Sequence, residues 1–446
     1  AKPDIKKERH EKKVCEKPPK VSLKSKAFPI ACIGPSFIGV MIFFIVPFMV
    51  ILYYSVVDNP INKDFVFLDN YISLLKNSAF KRAAVNTLKF SLTSVPLAVV
   101  LGLALAMLLD AKIPLVSQFR ASFLCPMMVP VASVVLIWQV IFHYNGTLNE
   151  VLSKFGIDRI DWLKSDKAMI VVTVLFLWKN LGYNMILFVA ILSLINSFKV
   201  FREVYLLTGD YPYDSIYMLQ HFMNNTFRKL DYQKLSAAAI IMSIVIIVIL
   251  ALLFVAENTV KKPLRRKKFT LRQNKIGLAV MTIFAAAAAF IFLMPTVLTI
   301  ANSFMSSSEI SANYGSVFST TESGGKTFIS EKVNLKFIPD MVSFSQYFTV
   351  LFKSPDYLLK FWNSVILVVP IVIFQLAVAA FASYGFARLK GRLKEILFFV
   401  YVIVMMMPYQ VTLVPNYLVA DKLGILNTRW AIILPAVFTP CLLYTS

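Results

Sequence analysis

Residues 90–109 read FSLTSVPLAVVLGLALAMLL, an apolar run between Lys89 and Asp110 that contains no charged residue and no histidine. About 20 helical residues, rising ~1.5 Å each, cross the ~30 Å hydrocarbon core of a bilayer. Eight more such runs occur, at 27–57, 121–142, 180–198, 235–256, 276–308, 361–387, 396–420 and 430–446. Lipid leaves exposed strand edges unpaired, so the sequence predicts an all-α, polytopic helical membrane protein with about nine spans.

Four short patterns recur downstream in the same order, each 276 to 278 residues further on. They are Tyr71-x-x-x-Leu75 with Tyr347-x-x-x-Leu351, Asn86 with Asn363, Met127-Met128-x-Pro130 with Met405-Met406-x-Pro408, and Gly146-x-Leu148-Asn149 with Gly424-x-Leu426-Asn427. A shared offset indicates a duplicated unit. We therefore predict two parallel, homologous halves in one polypeptide, a plan that many transport proteins use.

The basic residues lie between the apolar runs. Residues 1–26 hold ten Lys/Arg against four acids, 257–275 hold eight against one, and 388–395 hold four against one. Islands of positive charge beside apolar spans are typical of cytoplasmic loops. The net charge of +22 therefore indicates membrane topology, and we expect no nucleic-acid partner.

This pattern divides the chain into four segments. We predict a basic cytoplasmic segment at 1–26, a first transmembrane half at 27–256, a basic cytoplasmic linker at 257–275 and a second transmembrane half at 276–446. The lipid bilayer is the expected surrounding.

Counting spans from a cytoplasmic N-terminus places the basic linker outside, against the charge rule. One crossing is therefore missing before residue 257, because 168–196 has too few residues to cross twice. We predict that a segment with a cytoplasmic loop and about one span is absent near Ala190–Ile191. The alternative is that 168–178 and 180–196 form a re-entrant or kinked pair around Lys179.

Several motifs resemble one family, the permease subunits of binding-protein-dependent ABC importers of the carbohydrate-uptake group. In the first half they are Leu68-Asp69-Asn70-Tyr71, Asn86-Thr87-Leu88, Trp178-x-x-x-Gly182-Tyr183-Asn184-Met185 and Phe201-x-Glu203-x-Tyr205-x-Leu207-Thr208-Gly209. In the second half they are Asn363-Ser364, Ala382-x-Tyr384-x-x-Ala387-Arg388, Met407-Pro408-x-Gln410-x-x-Leu413-x-Pro415 and Leu423-Gly424-x-Leu426-Asn427-Thr428.

The resemblance implies a function and partners. Two permease halves would enclose a route for sugars or oligosaccharides across the bacterial cytoplasmic membrane. A dimeric cytoplasmic ATP-binding subunit would drive the route, and an extracytoplasmic solute-binding protein would deliver the solute. The chain itself is then not an enzyme and needs no cofactor. The rival hypothesis is a secondary, ion-coupled transporter with two parallel repeats, which predicts buried carboxylates or further charges in the spans.

Two features depart from the family pattern. The family's coupling loop begins Glu-Ala-Ala and docks on the ATPase, yet Leu187-Phe188-Val189-Ala190 runs directly into Ile191. The second half ends before its equivalent loop is due, so we expect it to be truncated. Residues 441–446 match the translation of a common sequencing-library adapter, and we expect the native sequence to diverge near Pro440.

Candidate route residues are few, and each has an ordinary alternative. Lys179 is an ionisable residue in an apolar stretch and, with Asn180 and Asn184, offers polar groups for sugar hydroxyls; alternatively, Lys179 snorkels at a break near Gly182. Gln410 and Asn416 flank a proline-bent segment of the second half, where helix packing is the alternative. Four tryptophans offer either sugar stacking or interfacial anchoring: Trp138, Trp178, Trp362 and Trp430.

A polar segment after the fourth run is the candidate docking surface for the solute-binding protein, with a solvated loop as the alternative. Its residues are Tyr205, Asp210, Tyr211, Tyr213 and Asp214. The four cysteines and three histidines are scattered, and no catalytic or metal-binding spacing is found.

Overall fold

The computed structural model describes residues 23–58, 64–110, 113–187, 197, 200–260, 275–318, 333–389, 391–406 and 409–439. Regular structure in these ranges is helical, and the one β-bridge joins Val57 and Phe65. The predicted all-α fold class is confirmed.

The described part of the predicted first half contains eleven α-helices. They are α1 (Leu23–Val40), α2 (Val46–Ser55), α3 (Asp69–Lys76), α4 (Ser78–Asp110), α5 (Val116–Met128), α6 (Val131–Phe142), α7 (Thr147–Lys154), α8 (Ala168–Leu187), α9 (Phe201–Thr208), α10 (Leu219–Arg228) and α11 (Tyr232–Val260). A π-helical turn, Met41–Ile45, joins α1 to α2, and a 3₁₀ turn, Asp214–Ile216, precedes α10.

The described part of the second half contains seven. They are α12 (Lys275–Ser303), α13 (Ser307–Phe318), α14 (Ser345–Phe348), α15 (Pro355–Arg388), α16 (Arg392–Met406), α17 (Tyr409–Lys422) and α18 (Trp430–Val437). A π-helical turn, Thr349–Lys353, follows α14.

Five helical segments in the described ranges are long and apolar enough to cross a membrane. They are Phe28–Ser55, Ser78–Asp110, Val131–Lys154, Ile276–Ser303 and Pro355–Arg388. Two shorter apolar helices are Ala168–Gly182, which ends at the start of the uncharged run 180–198, and Tyr232–Val248, which overlaps the run 235–256. The protein is therefore a multi-pass helical membrane protein, and the count of nine spans stays a prediction.

The uncharged run 121–142 is not one helix. It divides into α5 and α6, and the backbone of Val129 and Pro130 is extended between them. Proline lacks an N–H and disfavours helical geometry in the residue before it. The same motif in the second half falls where α16 gives way to α17, although residues 407 and 408 lie outside the described ranges.

The repeated residues lie at matching places in the two halves. Helices α4 and α15 have 33 and 34 residues, and each follows a short helix that carries a repeated tyrosine, Tyr71 or Tyr347. Asn86 and Asn363 are each the ninth residue of their helix. The repeated asparagines therefore occupy equivalent positions in two long helices, as a duplication predicts.

The first helix of each predicted half packs against the other half. Helix α1 lies along α15, and a side chain on Gly385 would collide with Ile33 and with the carbonyl oxygen of Pro29. Helix α12 packs on α5 and α6, and the ring of its Phe292 packs edge to face on Phe123. Small residues permit such close helix approach in membranes. The halves therefore interlock.

Three sequence predictions fall on residues that the structure leaves undescribed. The junction at Ala190–Ile191, most of the basic linker 257–275 and residues 441–446 all lie outside the described ranges. The missing segment, the four-segment division and the changed C-terminus remain predictions.

Candidate functional site

Helix α8 carries three of the candidate route residues. It runs without a break from Ala168 to Leu187, so no kink occurs at Lys179. The side-chain amide of Asn180 donates to the carbonyl oxygen of Phe176 at 2.9 Å. Asn184 is buried beside Gly102 of α4. Asn180 and Asn184 are four residues apart and therefore lie on one face of the helix.

Lys179 forms an ion pair with Glu203 of α9. The lysine side chain is 25% exposed and the glutamate side chain 8% exposed, so the pair is largely enclosed. Enclosed charges need a partner, since removing one member of such a pair costs ~3–5 kcal/mol. The pair therefore fastens the short helix α9 against α8.

This pairing changes two readings of the sequence. Lys179 does not snorkel from a helix break, because α8 is continuous and the ammonium is bound to Glu203. Glu203 was noticed only as part of a family motif, although it is a buried carboxylate. The two residues are 24 positions apart on different helices, and no short-range pattern links such a pair.

The candidate residues of the second half lie among other helices. Gln410 is in α17, but its side chain lies outside the described part of the structure. Asn416, also in α17, is partly buried, and its amide oxygen accepts no hydrogen bond from the described residues. Helix α17 packs on α2, α10, α11 and α18, whereas α8 packs on α4, α5 and α9. The two sets of polar side chains therefore lie in different surroundings.

An apolar cavity of about 430 Å³ lies between α4, α8 and α12. Its walls include Leu105, Leu181 and Phe292, and no polar side chain lines it. Sugar hydroxyls require hydrogen-bonding partners when they leave water. This cavity does not provide them.

The tryptophans fall into two groups. Trp138 and Trp178 are buried and pack edge to face, with ring centroids 5.6 Å apart. The indole N–H of Trp178 donates to the carbonyl oxygen of Phe292 at 3.0 Å, which links α8 to α12. Trp362 and Trp430 are exposed, as expected of side chains that meet lipid or the interface.

The predicted docking residues lie around the turn between α9 and α10. Tyr211 and Tyr213 are exposed. The carboxylate of Asp210 accepts from Arg228 at 2.5 Å, and the phenolic oxygen of Tyr205 accepts from the same guanidinium at 3.2 Å. This hydrogen bonding raises the pKa of Arg228. The exposed side chains of Tyr211 and Tyr213 therefore lie on a turn that hydrogen bonds to Arg228 hold in place.

The long helix α4 fixes the other end of that turn. Asp214 forms an ion pair with Arg82, and the amide of Asn86 donates to the carbonyl oxygens of Asp214 and Tyr217 at 2.6 and 3.0 Å. The structure thus brings the five predicted docking residues together in one region. It also shows that Arg82 and Asn86 of α4 and Arg228 of α10 anchor the turn, a role that sequence reasoning did not assign to them.

His221 lies behind this turn and was also missed. It is fully buried, its ring contacts Phe201 at a centroid distance of 4.7 Å, and its Nδ1 accepts from the N–H of Met218 at 3.3 Å. Burial lowers the pKa of His221 to about 3, and the carboxylate of Asp210 offsets this only partly. His221 is therefore neutral at physiological pH.

The fold and these polar contacts define a class, the multi-pass helical membrane proteins. Within that class the chain is similar to permease proteins of transport systems, and the resemblance found in the sequence is confirmed. The trehalose/maltose transport system permease protein of Thermococcus litoralis is 30% identical over 34% of this chain and 53% of its own length.

Two other relatives give the same indication. The xylose/arabinose import permease protein of Haloferax volcanii is 32% identical over 28% of this chain and 39% of its own length. The sn-glycerol-3-phosphate transport system permease protein of Escherichia coli is 29% identical over 38% of this chain and 59% of its own length. The chain therefore spans about half the length of the curated relatives it matches.

Structural comparison finds a bacterial ABC transporter for the import of the acidic polysaccharide alginate. That match has a TM-score of 0.47 and 16% sequence identity, and it covers 54% of this chain and 98% of the other. No family model matches the chain.

Proposed function

We propose that this protein is the membrane-spanning permease component of a binding-protein-dependent ABC importer for sugars or oligosaccharides. The observation that supports this most strongly is the similarity to permease proteins named for trehalose/maltose, xylose/arabinose and glycerol 3-phosphate. The multi-pass helical fold suits such a component. In this proposal the two interlocked halves surround the route, and the polar side chains of α8, namely Lys179, Asn180 and Asn184, lie along it.

The proposed partners follow from the same class. A dimeric ATP-binding subunit would act from the cytoplasm, and a solute-binding protein would dock on the turn that holds Tyr211 and Tyr213. The membrane would be the bacterial cytoplasmic membrane. Hydrolysis would belong to the ATP-binding subunit.

One observation favours the second candidate, an ion-coupled secondary transporter. That hypothesis predicts buried carboxylates, and Glu203 is one. In the importer, by contrast, Glu203 needs only its pairing with Lys179. The two candidates differ in the energy source that they require.

A transport assay distinguishes them. The gene is read again from genomic DNA across Ala190–Ile191, and the full-length protein is placed in vesicles with its ATP-binding subunit and solute-binding protein. We expect sugar uptake that requires ATP and the binding protein. Uptake driven by a proton or sodium gradient without nucleotide would establish the second candidate.

A further inference from the structure

The enclosed ion pair of Lys179 and Glu203 joins α8 to α9. The glutamate side chain is 8% exposed and therefore lies in a water-poor environment, whereas the lysine side chain is 25% exposed and leaves a surface that a solute can approach. The pair has no net charge. Its neighbours on α8, Asn180 and Asn184, carry neutral amide groups.

The chemistry of the pair suits hydroxyl groups. An ammonium has three N–H donors and a carboxylate has two acceptor oxygens, whereas the contact between them uses one donor and one oxygen. A neutral hydroxyl can bind the remaining donors and acceptor while the ion pair stays intact.

An anionic solute meets a different situation. Its carboxylate or phosphate must compete with Glu203 for the same ammonium. Displacing Glu203 leaves a buried carboxylate without its partner, and an unpaired charge in a low-dielectric environment is strongly unfavourable. A charge mismatch of this kind is a recognised way of excluding the wrong partner.

We propose that the Lys179–Glu203 pair makes the route selective for uncharged polyhydroxyl solutes over anionic sugars such as uronates. This inference rests on the proposed function, because it requires a solute to pass Lys179 of α8. Glu203 acts here as a specificity-determining residue that cancels the charge of Lys179.

The test measures binding of two matched probes, maltotriose and trigalacturonate. The purified chain is placed in nanodiscs, and binding is followed by tryptophan fluorescence, because Trp178 adjoins Lys179. We expect the wild type to prefer maltotriose. In Glu203→Gln the freed ammonium should shift the ratio of the two affinities toward trigalacturonate by at least about tenfold, equivalent to ~1.4 kcal/mol.

Two further variants separate charge from folding. Lys179→Gln with Glu203→Gln removes both charges and should retain the preference for maltotriose. Asp340→Asn breaks an ion pair with Lys336 whose acid is 71% exposed, and it should leave the ratio unchanged.

The outcomes are distinguishable. Preference of the wild type for trigalacturonate, or an unchanged ratio in Glu203→Gln, would overturn the selectivity proposal while leaving a sugar permease intact. If the wild type and every variant bind neither probe, the sugar-permease function fails and the selectivity proposal falls with it.

Discussion

His221 is a titratable side chain without exposed surface, located behind the candidate docking turn. Aromatic rings of Phe201 and Tyr217 contact it, and Asp210 is the carboxylate whose charge acts on it. Its pKa of about 3 in the folded protein lies below the ordinary value of 6.5. The neutral imidazole is therefore the form that the fold accommodates.

The pH dependence of stability follows from this lowered pKa. Above pH 6.5 the imidazole is neutral in both folded and unfolded states, so it has no effect. Below pH 6.5 the unfolded chain binds a proton that the folded protein does not, and stability falls by about 2 kcal/mol between pH 7 and pH 5. The loss continues as the pH falls toward the folded pKa.

Thermal denaturation in detergent, measured at pH 7 and pH 5, checks this prediction. His221→Asn keeps an acceptor for the N–H of Met218 but does not titrate in this range. We expect the variant to lose less stability than the wild type between the two pH values, whatever its stability at pH 7. Equal losses would show that His221 is not the titrating group.

At the residue level, the sequence singles out isolated side chains but not the pairs that they form. Lys179 stands out because a charge in an apolar run is rare. Its partner Glu203 does not stand out, because the α8–α9 arrangement that joins them is a tertiary contact. The same reason explains why Arg82 and Asn86 were not recognised as anchors of the docking turn.

At the scale of helices, Gly182 lies where α8 packs tightly against α5. A side-chain carbon added at Gly182 would lie 2.0 Å from the carbonyl oxygen of Phe123, which is backbone and has little freedom to move. We expect Gly182→Ala to force the two helices apart and to destabilise the protein by ~1–3 kcal/mol.

A second glycine provides the matched control. Gly277 of α12 has no atom within 4 Å of the corresponding position. Gly277→Ala should leave stability unchanged or raise it by up to ~1 kcal/mol through the better helix propensity of alanine. The free energy of unfolding in denaturant measures both variants. Similar effects of the two substitutions would contradict the close packing of α8 on α5.

Apolar composition predicted the helices but not their interruptions. The uncharged runs correctly predicted α4, α12 and α15, because a membrane-spanning helix needs a long apolar sequence. The uncharged runs did not predict the π-helical turn Met41–Ile45. A continuous apolar sequence does not indicate where the helical hydrogen bonding changes. Proline disfavours helix at its own position and the one before it, which accounts for the break at Pro130. A proline alone does not predict such a break, because Pro96 lies inside the continuous helix α4.

At the scale of the whole molecule, the charge distribution predicts which loops face the cytoplasm. The linker 257–275 carries eight basic residues, and the positive-inside rule places it inside. We expect a topology reporter fused after Lys268 to be cytoplasmic and one fused after Lys234 to be extracytoplasmic. Alkaline phosphatase and green fluorescent protein fusions measure the two locations.

The result also bears on the segment predicted to be absent near Ala190–Ile191. That prediction depends on a cytoplasmic linker, because only then does the number of crossings before residue 257 become inconsistent. If the reporter after Lys234 proves cytoplasmic and the one after Lys268 extracytoplasmic, the crossings are consistent as they stand and the predicted gap is removed.

The contact between α1 and α15 has a consequence for biosynthesis. The helices that receive α1 are made long after it: the hydroxyl of Tyr401 bonds Ser36 across 365 positions of the chain. At ~5–20 residues per second, a ribosome needs roughly 20 to 70 s to cover that distance. The nascent first helix therefore waits in lipid, or with an insertion factor, until these later helices have been translated.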